Sequence, residues 1–216
     1  MNRQSLAACL SLFLACGCST VYYGVWQKLG YEKRDILVSR VQEGRDDQQS
    51  AETQFKTTMQ KFQELTNFNG GDLEAEYDKL NASYESCVSR ADAVSSKIKS
   101  IDEVAQDMFA EWKSELSQYD NQDLRAKSEQ ELNDTKAKYA KLIALMRKSE
   151  ASMQPVLRAF HDQVLFLKHN LNADAISSLQ STAAGIDTDV KQLIVEMEAS
   201  INEANDFISK VKASNG

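Results

Sequence analysis

Glycine is missing from the entire stretch between Asp72 and Ala184, and the 216-residue chain holds a single proline, Pro155. These residues punctuate turns and end strands, so over half of the chain lacks the signals that a loop-rich or β-rich fold requires. Basic runs are missing as well. The formal net charge is −7, and without a clustered Lys/Arg surface to neutralise phosphates, a nucleic-acid partner is excluded. A long acidic helical chain also suggests the coiled-coil arm of a DNA-repair ATPase. No Gly-x-x-x-x-Gly-Lys-Ser/Thr phosphate loop occurs, which removes that possibility. Ala, Glu, Lys, Gln, Leu and Ser dominate instead, a mix that favours helices with a solvated outer face. A hydrophobic fraction of 42% is too high for a disordered acidic chain. The expectation is one folded, all-α domain.

The first residues carry the parts of an export signal. Arg3 gives the positive start, Leu6 to Ala15 a short apolar stretch, and Leu14-Ala15-Cys16-Gly17-Cys18 a small-residue context before cysteine. The apolar stretch is far below the roughly 20 residues that span a bilayer. Cleavage is expected before Cys18, which becomes the lipidation site and carries palmitate-type acyl chains. Gly17 precedes it and Ser19 follows it, whereas cleavage before Cys16 would put Phe13 and Leu14 in the recognition pocket. Ala15 stands where such signals usually have Leu. More than one acyl chain, at about 0.8 kcal/mol per buried CH₂, gives stable membrane attachment. Next come Val21-Tyr22-Tyr23-Gly24-Val25-Trp26 and then Lys28, Lys33 and Arg34. This aromatic and basic stretch suits a headgroup boundary, or else staples the first helix to the body. Boundaries follow at residues 1–17 for the signal, 18–30 for a lipid-anchored linker and 31–216 for the helical domain. Without the signal, 24 basic side chains face 32 acidic ones, a net charge of −8. With Cys18 committed to lipid, Cys87 has no partner within the chain and is expected as a buried thiol on an apolar stripe.

Apolar residues recur at alternating steps of four and three through most of the remainder, the spacing of a coiled-coil seam. One seam runs from Leu73 through Tyr77, Leu80, Tyr84, Cys87, Ala91, Val94, Ile98, Ile101, Ala105, Met108 and Trp112 towards Leu116 and Tyr119. Asp72 is its N-cap. Ser100-Ile101-Asp102-Glu103 has the form of a capping box, while the unbroken phase across it predicts a kink rather than a break. A second seam starts near Asp120 to Asp123 and passes Leu132, Tyr139, Leu142, Met146, Met153, Val156, Phe160, Val164, Leu167 and Leu171, with Pro155 inside it as a kink. A third runs from Ile176 to Val211. The first helix, about Lys33 to Thr66, has a weaker seam in which Gly44 and polar Gln48 leave a groove. Short connections predict an elongated antiparallel bundle or coiled coil of about four long helices. Surface pairs Asp123–Lys127 and Asp134–Lys138 would add a few tenths of a kcal/mol each.

Candidate chemistry is sparse. His161 and His169 lie eight residues apart, about 80° around an ideal helix, with no His-Glu-x-x-His or Glu-x-x-His spacing for a metal. Lys168 and His169 suit a helix C-terminus. Glu74, Glu76 and Asp78, like Glu43, Asp46 and Asp47, read as solvated faces rather than an acid–base pair. No serine sits in a Gly-x-Ser-x-Gly elbow. No catalytic residue, metal ligand or cofactor site is assigned, and a non-enzymatic protein is expected.

Four segments carry a resemblance: Tyr31 to Val38 (YEKRDILV), Asn67 to Leu73 (NFNGGDL), Met153 to Leu157 (MQPVL) and Val164 to Ala173 (VLFLKHNLNA). In these the chain resembles a family of uncharacterised proteobacterial coiled-coil lipoproteins, known only as a domain of unknown function. The resemblance implies an envelope lipoprotein and attaches no activity to any residue. Ser19 rather than Asp after Cys18 then implies the outer membrane, facing the periplasm. Two functions are expected from these features. The first is a lipid-tethered helical scaffold, spacer or adaptor for an envelope protein partner, docking at the loop tips or at the groove in the first helix. The second is a periplasmic carrier that opens the bundle core for a lipid-like small molecule.

Overall fold

A computed structural model describes residues 33–213. Cys16, Cys18, the export signal and the aromatic stretch before Lys28 lie outside the described residues. So do the boundaries proposed at residues 17 and 30.

Among the described residues the chain forms four long helices: α1 (Lys33–Thr66), α2 (Leu73–Glu115), α3 (Gln122–His169) and α4 (Ala173–Ala213). A 3-10 turn, Leu116–Gln118, follows α2. The starts of α2, α3 and α4 are written in capping residues. The Asp72 carboxylate accepts from the Ala75 amide at 3.1 Å, Asn121 from Asp123 and Leu124, and Asn172 from Ala175 at 2.9 Å. Each such cap satisfies an otherwise orphaned amide and is worth about 1 kcal/mol. Gly70 and Gly71 turn the chain between α1 and α2 at φ +143° and +119°, values that L side chains rarely adopt.

Contacts run in opposite senses between successive helices. Lys33 meets Glu111 at 2.9 Å, Lys97 meets Glu43 at 2.6 Å, and Thr58 meets Ser83 at 2.7 Å, so α1 and α2 are antiparallel. The same reversal holds for α2 with α3 (Asp102 with Arg147, Trp112 with Ser128) and for α3 with α4 (Lys141 with Glu203, Lys148 with Glu196). Arg45 with Asn205 and Gln63 with Asp187 join α4 back to α1. The result is a closed up-down-up-down bundle. At about 1.5 Å per residue its longest helix spans roughly 70 Å. The base carries the start of α1 and the end of α4; the far tip carries the turns at 67–72 and 170–172.

The seams form the core. Phe55, Phe62, Phe160 and Phe207 are among its largest fully buried side chains. Tyr119 and Leu171, the last residues of their seams, are instead 39% and 37% exposed, because the chain has left the helix there. Pro155 removes an amide that would bond the Ala151 carbonyl. Both residues are exposed, and Met153 and Val156 beside them are buried, so the freed carbonyl meets solvent while packing holds α3 continuous.

α2 runs through residues 100–103 without a break, as the unbroken seam predicts, and Asp102 bonds across to Tyr139 and Arg147 on α3. Two expectations are corrected. First, Gly44 and Gln48 leave no groove. A Cβ on Gly44 would stand 2.7 Å from Ile101 Cδ1 and 3.1 Å from Met146 Cε, so α2 and α3 side chains already fill that space. Gln48 is 0% exposed and bonded at both ends of its amide. Its Nε2 donates to Ser149 Oγ at 2.8 Å and its Oε1 accepts from Ser200 Oγ at 2.9 Å. Second, Asp123–Lys127 and Asp134–Lys138 do not pair. Exposed pairs gain little against side-chain entropy, and the ion pairs of Glu43, Asp102, Glu196 and Glu203 bridge helices.

Gln48→Ala leaves a void and removes the partner of two buried hydroxyls. We expect a loss of about 2–3 kcal/mol in urea unfolding, against less than about 0.5 kcal/mol for exposed Gln49→Ala.

Candidate functional site

Two layers of polar side chains lie inside the bundle. The Gln48–Ser149–Ser200 layer joins α1, α3 and α4 near mid-length, with Ser149 also donating to the Met146 carbonyl at 3.0 Å. No buried side-chain nitrogen or oxygen among the described residues lacks a hydrogen-bond partner. A layer with every bond satisfied positions helices; it has nothing left over to bind a substrate. Sequence reasoning missed Ser149 and Ser200, although a signal for them was present. Ser149 sits between Met146 and Met153, and Ser200 between Met197 and Ala204, at the same three–four spacing as the apolar seam.

A second layer nearer the tip surrounds Cys87. Its Sγ lies 3.1 Å from Thr58 Oγ1, which also contacts the Ser83 hydroxyl and carbonyl, while Gln54 donates to Ser83 at 3.1 Å. Burial pushes the Cys87 thiol up to about 11, opposed by its bond to Thr58. The expected buried thiol is therefore found. A thiol held in that range is protonated at neutral pH and is not a nucleophile.

The carboxylates are paired across helices. Glu43 contacts Lys97 at 2.6 Å and Arg40 at 2.9 Å, and these bonds hold its carboxyl below the ordinary range. Glu196 takes bonds from Ser152, Gln192 and Lys148, with the same direction of shift. Such groups stay ionised, which disqualifies them as general acids near neutral pH. Of the acidic cluster on α2, Glu76 is held by Lys79 at 2.7 Å. The Tyr139 hydroxyl donates to Asp102 at 2.6 Å, and burial followed by that bond raises its pKa. Asp102 and Tyr139 together form a clip between α2 and α3.

The histidines are not brought together. His161 is half-exposed on α3, its ring 5.9 Å from Tyr84, whereas His169 ends the same helix beside Lys168. Among the described residues no group of three or more His, Cys, Asp or Glu side chains is arranged to hold a metal ion. No helix among them is long and apolar enough to cross a membrane.

Two open concavities among the described residues lie at opposite ends of the rod. The tip pocket, about 350 Å³, is lined by Phe68, Asn69, Gly70 and Leu73 from the first turn and by Ala173, Ile176, Ser177 and Gln180 from α4. Gln180 also donates to the Thr66 carbonyl at 2.6 Å, fixing α4 against the end of α1. The base groove, about 100 Å³, lies around Trp112, whose indole donates to Ser128 at 2.9 Å beneath the Arg34 guanidinium, 5.1 Å from the ring centre. The tip pocket went unnoticed in the sequence because its walls come from residues about a hundred positions apart. The only local sign was an apolar residue, Phe68, inside an Asn/Gly turn.

A family model described as "Protein of unknown function (DUF2959)" matches residues 22–211. No curated protein and no solved structure matches the chain. All four segments that carry the resemblance fall inside the matched range.

Two solution measurements check these assignments. Cys87 should resist a thiol reagent in the native state at pH 8 and react fully once urea unfolds the protein. Rapid native labelling would contradict its burial. For Glu43 and Glu196 the folded pKa lies below the unfolded one. Their stabilisation is therefore present above the ordinary carboxylate value of about 4.3 and is lost as pH falls through the lower folded values. The urea midpoint should drop as pH falls from about 5 towards 3, and Lys97→Met should shrink that drop.

Proposed function

This chain belongs to the DUF2959 family, and from its own residues we propose that it is a lipid-tethered, non-enzymatic rod that scaffolds or spaces a protein partner in the bacterial envelope. One observation carries the reading. Four helices are locked along their length by a buried core and by polar contacts that join each neighbouring pair, and two open concavities among the described residues lie at opposite ends. A body of that kind keeps a distance and presents its tips.

Cys18 is the proposed lipid site, with the outer membrane and its periplasmic face as the location. Residues 19–32 separate it from Lys33. Fourteen residues at no more than about 3.4 Å each reach roughly 48 Å, so the base of the rod stays near the bilayer. The tip then stands up to about 70 Å further out. Catalysis is not part of the proposal, since the buried thiol, the paired carboxylates and the separated histidines supply neither an activated nucleophile nor a base. The rival is a carrier that parts the bundle for a lipid-like molecule. It would have to break the Gln48 layer, and no feature of the core favours it. Native mass spectrometry that finds a co-purified small molecule would support that rival.

In cells, wild-type protein should incorporate a labelled fatty acid and fractionate with the outer membrane, and Cys18→Ser should abolish the label. Photocrosslinkers at the tip positions Asn69 and Ser177 should recover one defined envelope protein. Recovery of this chain alone, from tip and flank positions alike, would count against the scaffold reading.

A further inference from the structure

The tip pocket has a floor and a rim of different chemistry. Phe68, Leu73 and Ile176 give it an apolar floor, and Asn69, Ser177 and Gln180 a polar rim. A Cβ built on Gly70 meets nothing within 4 Å, so that side of the mouth is unobstructed. At about 350 Å³ it sits at the low end of small-molecule sites, with room for one large apolar side chain. The same end of the rod carries Leu165, Phe166 and Leu171, which are 48%, 41% and 37% exposed. Leu165 and Phe166 are neighbours in sequence and with Leu171 add apolar surface at this end, while Tyr119, Leu124 and Val195 are exposed elsewhere on the rod.

The residues that line the pocket are uncharged, and the charge near it is mainly acidic. The end of α1 and the first turns of α2 and α4 carry Glu64, Asp72, Glu74, Glu76 and Asp174, with Lys61 one turn before Glu64. Facing them from α2 is Lys79, which Glu76 already pairs and which also senses Glu64 and Asp72. From α3 come Lys168 and His169 in its last turn. The acidic excess repels an anionic occupant and favours a cationic one. We propose that the pocket receives a single apolar side chain presented by a lysine- or arginine-flanked segment of a partner protein. The apolar side chain fills the floor, the flanking cations face the carboxylates, and backbone groups of the segment meet Asn69 and Ser177. This inference rests on the scaffold reading and adds the chemistry of the partner.

The test uses the full chain with ¹³C-labelled Ile and Leu methyl groups, titrated with a synthetic peptide of one leucine between two lysine pairs. Saturable shifts are expected at Ile176 and Leu73. Replacing the peptide's leucine by alanine should weaken binding roughly tenfold or more, and replacing its lysines by glutamate should abolish the shifts. Ser177→Arg, an exposed change that leaves helix content intact, should lower affinity for the lysine peptide by a similar factor. Equal binding of the alanine peptide would reduce the site to nonspecific charge attraction and overturn the proposal. Silence at millimolar peptide would overturn it too, as would tighter saturable shifts with dodecanoate, which would assign the pocket to a lipid. A silent pocket alongside a defined crosslinked partner overturns this assignment alone. The absence of any crosslinked partner overturns the reading beneath it.

Discussion

A primary amide can enter a protein core only if both of its ends find partners, and Gln48 meets that condition in one arrangement of the bundle. Its nitrogen needs Ser149 of α3 and its oxygen needs Ser200 of α4. Sliding any of the three helices by one seam position takes a serine away from the amide, since the seam neighbours of those serines are Met146, Met153, Met197 and Ala204, none of which offers it a hydrogen bond. An unsatisfied buried amide costs about 1–3 kcal/mol, whereas apolar seams alone tolerate such slips. Burial of Gly44 against Ile101 and Met146 reinforces the same register from the next turn. The most polar of the four helices is thus held in place by the residues that make it polar.

Once the register is fixed, the outer contacts fall into place. Glu43 reaches Lys97, Asp102 reaches Arg147, Glu150 reaches Ser95, and Glu196 reaches Lys148 and Ser152. These pairs tie neighbouring helices at mid-length; individually, exposed ones contribute little. What they share is dependence on the register that the buried layer sets. A rod with one register has one length and one relation between base and tip. The proposed spacer requires both.

Much of this was legible in the chain. The start of α2 followed from Asp72, because a capping side chain is a local event readable at short range. The burial of Cys87 followed from its phase. The central layer was misread because a polar residue on a seam looks like a gap when its partners, about 100 and 150 positions away, are not in view. The partnering of Asp134 and Lys138 failed for a related reason, since sequence spacing shows which groups are near and not which contact outlasts its entropy cost. Phe109, Ile143 and Phe207 also join the core beside the seams. Closure into a four-membered ring widens the buried stripe beyond two positions in seven. The tip pocket needed the fold, for its two walls meet only after α1 and α4 have closed.

The Gln48 layer selects one packing rather than merely adding stability. Replacing it whole, as Gln48→Leu with Ser149→Ala and Ser200→Ala, removes every polar side chain of the layer and leaves an apolar seam. This variant should unfold at an equal or higher urea concentration. Its core should give more than one set of methyl NMR resonances, with faster amide exchange at mid-length than in the wild type. A single sharp set of resonances with wild-type exchange protection would mean that the layer does not select the packing.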